Sequence, residues 1–279
     1  MKQFLFSLMI LAVGATSFAS ENTPLSIQSH MAEGSGFHVT SHLISGKKEA
    51  ILVDAQFTIS EASKVVAMVK ASGRELKTIL ITHAHPDHYF GLETVLNAFP
   101  NAKAVATPEV IQEIQQTGEG KLAYWKKLYG DELPNKVTLP TAIHRSFLTL
   151  EGEDLPLVTQ GPGESAHAVA LYLPNQQALV AGDLIFNEVH LWLAEDRPEA
   201  WIENLDLLTK VGRIKTIYPG HGENGSESLI TENKKYIETF LEVTSQSATA
   251  KDAQSKLETL FPQHRLPIIV ELSTQARVK

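Results

Sequence analysis

Apolar runs alternate with amphipathic stretches along this chain, and their periods mark out its elements. Gly36 to Thr40 and His42 to Ser45 read as short strands, Gly46-Lys47-Lys48 as a turn and Ala50 to Asp54 as another strand, together an opening β-meander. Ala62, Val65, Val66 and Val69 fall at helical spacing between a capping Ser60 and Gly73, which predicts a helix over Ser60 to Ser72. Leu76 to Thr82 is β-branched and apolar enough for a buried strand, and Tyr89 to Phe99 then turns helical. A short strand at Lys103 to Ala106 precedes two helices, one from Pro108 to about Gln116 and one from Gly120 to Tyr129. From Ala142 to Phe186 the pattern is mainly β, with strands at Phe147 to Leu150, Ala168 to Leu173 and Ala178 to Ala181. A helix over Glu199 to Val211, a strand over Ile214 to Tyr218 and amphipathic helices over Ser226 to Ser247 and Lys251 to Leu260 complete the order. Two β-rich halves, each followed by helices and with no repeat or linker between them, predict one α+β domain layered as an αββα sandwich.

The first residues stand apart from this pattern. Lys2, an apolar run from Phe4 to Ala15 and Ser17-Phe18-Ala19 have the form of a cleavable signal peptide over residues 1–19, leaving a domain over 20–279. The run is too short for a membrane anchor, so the expected location is periplasmic or secreted. The chain has no cysteine, so neither a disulfide nor a thiolate ligand is available. Its net charge of −8 argues against nucleic acid or an anionic membrane surface as partner and leaves a small-molecule substrate. The long C-terminal helices are a candidate homodimer face.

The chemistry is concentrated in His83-Ala84-His85-Pro86-Asp87-His88, which places four potential metal ligands in six residues on a strand-to-helix loop. In such a turn His83 and His85 project together to hold one divalent ion, while Asp87 and His88 face a second position. Imidazole and carboxylate are ligands that zinc, iron and manganese share. A solvated polar loop is the plain alternative, but it does not account for four such residues in one turn. Asp183 follows the strand-like Leu179-Val180-Ala181 and precedes Leu184-Ile185-Phe186, where a carboxylate is poorly solvated unless paired or ligating. His221 sits in Pro219-Gly220-His221-Gly222, whose glycines let the backbone approach an ion closely.

With these residues the chain resembles the metallo-β-lactamase superfamily across nearly all of residues 20–279. The resemblance implies a four-layer αββα sandwich with a two-metal site at one edge, supplied by the Asp54 strand end, the His83 to His88 loop, the Gly161-Pro162-Gly163 loop, Gly182-Asp183 and Gly220-His221. It also implies that Asp183 bridges the ions, that His221 binds the second, and that Asp87 orients a metal-bridging hydroxide and accepts its proton. Two zinc ions are the first expectation, with iron or manganese as alternatives. The departure is in the third loop, where the usual Pro-Gly-His-Thr is replaced by Pro162-Gly163-Glu164-Ser165-Ala166-His167. Spacing favours Glu164 as the ligand and ligand chemistry favours His167; loss of one metal position is a third option.

The implied activity is hydrolysis of an ester, lactone, thioester or amide bond of a small molecule. The β-lactamases that place a cysteine ligand where Asp183 stands are excluded. Glu164 keeps an iron-dependent enzyme of the thiol dioxygenase kind in view, and a non-catalytic metal-binding protein is the remaining alternative. His190, Trp192 and Tyr89 are the candidate substrate contacts.

Overall fold

The computed structural model describes residues 24–278; the candidate signal peptide lies outside them. The first half contains β1 (Ser26–Met31), β2 (Thr40–Ser45), β3 (Glu49–Val53), α1 (Ile59–Ser72), β4 (Glu75–Leu80), α2 (Pro86–Tyr89), α3 (Leu92–Ala98), β5 (Lys103–Ala106), α4 (Pro108–Tyr129) and β6 (Thr141–Ala142). The second contains β7 (Phe147–Leu150), β8 (Glu153–Gln160), β9 (Ala168–Leu173), β10 (Ala178–Phe186), α5 (Pro198–Leu208), β11 (Thr216–His221), α6 (Ser228–Gln246), α7 (Ala250–Leu260) and α8 (Pro267–Arg277). One sheet runs β1-β2-β3-β4-β5-β6, the other β11-β10-β9-β8-β7.

Strict alternation of contacts along the central strands makes the sandwich. In β3, Ala50 and Leu52 pack towards α1, α3 and α4, while Ile51 and Val53 pack between the sheets. In β9, Ala168, Ala170 and Tyr172 join the core under α5 and α6, and Val169, Leu171 and Leu173 meet Ile51 and Val53 in the middle layer. Strands covered on both faces need apolar residues at every position, which is why these segments read as unbroken apolar runs.

Several elements differ from the sequence pattern. Phe37 and His38 adopt left-handed backbone angles after a short 3-10 turn at Gly34–Gly36, so the strand expected over Gly36 to Thr40 begins only at Thr40. Thr58 rather than Ser60 caps α1, its Oγ1 accepting from the Glu61 amide at 3.2 Å. The two helices expected between Pro108 and Tyr129 are one, and Gly118 inside it is a close-approach residue: a Cβ there would lie 3.1 Å from Tyr89 Oη. The sequence pattern marks neither β1 nor α8, and β8 lies unassigned within the stretch expected to be mainly β. β1 is half-buried at the sheet edge, and β8 carries Pro156, a residue that argues against a central strand.

The two sheets are joined near His221 by buried polar contacts. Thr40 Oγ1 donates to the carbonyls of Pro219 and Gly220, residues 180 apart from it in sequence in the latter case. His42 Nε2 lies 2.9 Å from the Pro219 carbonyl, and its Nδ1 is 2.8 Å from Ser29 Oγ. Burial pushes His42 down to about 4. The unfolded chain therefore binds a proton near pH 6.5 that the folded chain refuses until about pH 4. Stability is full above pH 6.5 and should fall by about 3 kcal/mol on acidification through that window. Urea melts at pH 7 and pH 4.5 should show this loss, and the His42→Gln variant should show less of it; equal pH slopes in the two proteins would remove His42 as the cause.

Candidate metal centre

The donors come from the loops that follow strands, from the end of β11 and from the interior of β10. β4 runs into the loop carrying His83 and His85, and α2 starts at Pro86, so that Asp87 and His88 sit in its first turn. The Val169 amide donates to the Thr82 carbonyl at 3.0 Å, which fastens this loop to the second sheet. Glu164 arrives on the loop between β8 and β9, held by Asn204 of α5, whose Nδ2 donates to the Pro162 carbonyl at 2.8 Å. Asp183 lies in β10, flanked by register shifts on either side of Gly182 that redirect the strand. His221 ends β11. Gly220 before it is obligatory by contact, since a Cβ there would fall 1.9 Å from Asp183 Oδ1.

Two groups of donor atoms result, each drawn together within 4.8 Å: His83, His85, Glu164 and Asp183 in one, Asp87, His88 and His221 in the other. Asp183 stands between them, with one oxygen 3.1 Å from His88 Nε2 and the other 3.2 Å from His221 Nε2 and 3.7 Å from His83 Nε2. Glu164 lies 2.8 Å from His85 Nδ1 and 3.7 Å from His83 Nε2. These short approaches lack hydrogen-bond alignment: His83 Nε2, His88 Nε2, both Glu164 oxygens and Asp183 Oδ1 are buried without a partner. Leaving so many buried polar atoms unpaired is costly, and a divalent cation in each group would satisfy them.

The outer contacts select which nitrogen faces inward. Asp54, left-handed at the end of β3, accepts from the Thr82 amide at 2.9 Å, from Thr82 Oγ1 at 2.8 Å and lies 2.8 Å from His88 Nδ1. Thr82 Oγ1 is 2.9 Å from His83 Nδ1, and the Phe37 carbonyl is 2.7 Å from His221 Nδ1. With those Nδ1 atoms engaged, the three Nε2 atoms point into the cluster, the arrangement by which ligand imidazoles are held and made more basic.

Charge in the cluster is arranged for cations. Burial would lower His85, but the Glu164 carboxylate overrides it and raises His85 to about 10. His221 is likewise raised to about 10 against its burial, by Asp183 and Asp87. Burial lifts Glu164 to about 7, with His85 opposing. His83, buried beside His88, is held well below the ordinary histidine value and is a neutral donor. Cation binding to such a set displaces protons.

The sequence of residues 34–221 matches the Metallo-beta-lactamase superfamily, two thirds of the chain and every donor above. The chain belongs to the metallo-β-lactamase superfamily. As a member it is a metal-dependent hydrolase by class. Among its relatives, a hydroxyacylglutathione hydrolase of Prochlorococcus marinus is 24% identical over 182 residues, covering 63% of this chain and 61% of that protein. A type 2 metallo-beta-lactamase of Pseudomonas aeruginosa is 24% identical over 202 residues, 69% of this chain and 72% of that protein. In structure, a metallo-beta-lactamase from Pontibacter korlensis superposes with a TM-score of 0.60 at 19% identity, over 77% of this chain and 99% of that one, which shows the shared fold.

Within this superfamily member the remaining candidates separate clearly. Of the third-loop pair, Glu164 is in the cluster and His167 is in neither donor group; the His167 carbonyl accepts from Ser165 Oγ. Trp192 lines the cavity above the donors, its ring 6.4 Å from that of His85. His190 does not: its ring turns into the core, Nδ1 2.7 Å from Tyr236 Oη. Tyr89 is also fully buried, packed on Phe90 and against α4 rather than lining the cavity. Sequence reasoning missed Glu195, whose Oε1 is 3.8 Å from His85 Nε2, and Lys121, whose Nζ donates to the Ala84 carbonyl at 2.9 Å. It also missed α8, which supplies Ile268, Ile269 and Leu272 to the cavity. A charged residue at the helical spacing of Trp125 was the available signal for Lys121; nothing local pointed to α8.

Proposed function

We propose that this protein hydrolyses an ester, lactone, thioester or amide bond of a small molecule at a site for two divalent cations, zinc first among them. The observation that carries the reading is the paired donor set with Asp183 shared between its halves. His83, His85 and Glu164 would hold one cation, Asp87, His88 and His221 the other, and Asp183 both. When bound, such ions bring the pKa of coordinated water from 15.7 towards about 7 and polarise the substrate carbonyl. Asp87 is the most exposed carboxylate of the set and lines the cavity, which supports a role in orienting water and taking its proton. His88 and His221 outweigh burial and keep Asp87 ionised, as that task requires. No cysteine exists to act as nucleophile or ligand. The leader-like residues 1–19 support export to the periplasm or beyond.

His83, His85 and Glu164 also amount to two imidazoles and one carboxylate, the donor set of non-haem iron(II) oxygenases. That supports an iron-dependent redox enzyme as the second reading. Elemental analysis decides between them. Purified protein is expected to carry two zinc ions, Glu164→Ala one, and His167→Ala two. A chelator should abolish hydrolysis of simple esters and zinc should restore it. Bound iron with substrate-dependent oxygen uptake would overturn the hydrolase in favour of the second reading.

A further inference from the structure

The cavity over the donors has a volume of about 270 Å³, and its wall is largely apolar: Phe37, Trp125, Trp192 and three residues of α8, Ile268, Ile269 and Leu272. α8 lies beyond residues 34–221, the stretch that matches the superfamily. It is fastened rather than loosely laid. The Arg265 amide donates to the Glu188 carbonyl at 2.9 Å and the His190 amide to the Arg265 carbonyl at 3.0 Å, a parallel bridge just before the helix. Further along, Ser273 Oγ accepts from the Leu193 amide at 3.0 Å, and Arg277 pairs with Asp196. These contacts span the segment that carries Trp192 and Glu195, so α8 and that segment form one wall. Val270 and Thr274 are fully buried beneath it, while Ile268 and Leu272 remain 45% and 38% exposed at the mouth. Two large aliphatic residues kept in water beside a catalytic cavity are surface spent on contact with a ligand.

Charge in the cavity points the same way. Three ligand carboxylates, Asp87, Glu164 and Asp183, leave one formal positive charge on two dications, where an imidazole at position 164 would leave two. Lys121 is the one lysine or arginine lining the cavity among the described residues; its Nζ is engaged by the Ala84 carbonyl, and Glu195 lines the same space. A substrate carboxylate entering beside these walls would lose its hydration against apolar side chains, with Lys121 already facing the Glu195 carboxylate and only one net positive charge at the ions to offset that loss.

We infer that α8 is the specificity wall of this enzyme and selects neutral esters or lactones with an unbranched apolar acyl chain over anionic substrates. The inference rests on the hydrolase reading, and the experiment separates the two. The zinc-loaded full chain is assayed with p-nitrophenyl esters from acetate to octanoate and with the p-nitrophenyl monoester of a dicarboxylic acid of matched length. We expect kcat/KM to rise about fourfold per methylene until the cavity is filled, and the carboxylate-ended ester to be at least about a hundredfold poorer. Leu272→Asp should flatten the chain-length series, and Leu272→Lys should raise the carboxylate-ended ester relative to the neutral one. Both changes are at an exposed position, and circular dichroism checks the fold. A flat series, or equal rates on the two ester types, would overturn the inference and leave the hydrolase standing. Zinc-loaded protein that cleaves none of these esters, nor a lactone, thioester or amide, would overturn the hydrolase instead. Fluorescence then decides the wall, because Trp125 and Trp192 both line the cavity: quenching by 2-octanone but not octanoate upholds it, and the reverse overturns it.

Discussion

Replacing Asp183 by alanine is expected to cut ester hydrolysis by about a thousandfold and to take metal content from two ions per chain to one or none. The size follows from its position. Asp183 is 3% exposed in its side chain and within 3.7 Å of His83 in one donor group and of His88 and His221 in the other. Its removal leaves three imbalanced imidazoles and deprives both cations of a shared ligand at once. Asp183→Asn keeps the volume and the contact with Gly220 while removing the charge, so it separates loss of ligation from local repacking. Elemental analysis with thermal melts reads both variants. Melting temperatures close to that of chelator-treated parent protein are expected; a variant retaining two ions and parental kcat would refute the bridging role.

Asp87→Ala is the second large effect, with kcat expected to fall about 10²- to 10⁴-fold. Unlike Asp183, Asp87 is accessible from the cavity, at 16% side-chain exposure, and touches the second donor group through His221 Nε2 at 3.3 Å. His88 and His221 remain to hold an ion, so the variant should keep the fold and lose much more in turnover than in metal content. Steady-state kinetics beside elemental analysis makes the distinction. A parallel loss of the second ion and of activity would make Asp87 a ligand alone, and an unchanged kcat would remove it from the reaction.

What could be read from the chain before folding was what lies close together in it. His83, His85, Asp87 and His88 are legible because one turn carries all four, Asp183 because it is a lone carboxylate inside an apolar run, and His221 because it closes one. The layers were legible for the same reason, since β9 is apolar throughout and β3 and β10 are apolar but for Glu49 and Asp183. The choice between Glu164 and His167 was not, because it depends on Asn204 of α5, some forty positions away, gripping the loop at Gly161 and Pro162. His190 and Trp192 are two residues apart in an irregular segment with no strand period, so nothing in their spacing told that one ring would meet Tyr236 and the other the cavity. Tyr89 looked like a wall residue because it adjoins His88, but the helical turn of α2 carries its ring away into the core under α4. The wall built by α8 is a purely tertiary fact.

The seam where Thr40 and His42 hold the Pro219-Gly220 turn bears on how the centre comes into being. His221 is aimed only after β2 and β11, from opposite ends of the chain and different sheets, have met, and Glu164 only after α5 has docked on its loop. Contacts so distant in sequence close late, because their loop entropy must be met before they give anything back. A nascent or half-formed chain offers the short motif at 83–88 and little else, so full-affinity ion capture is an event of the finished fold. Metal uptake can thus serve as a clock for the last step of maturation, running behind secondary structure and ahead of the first turnover.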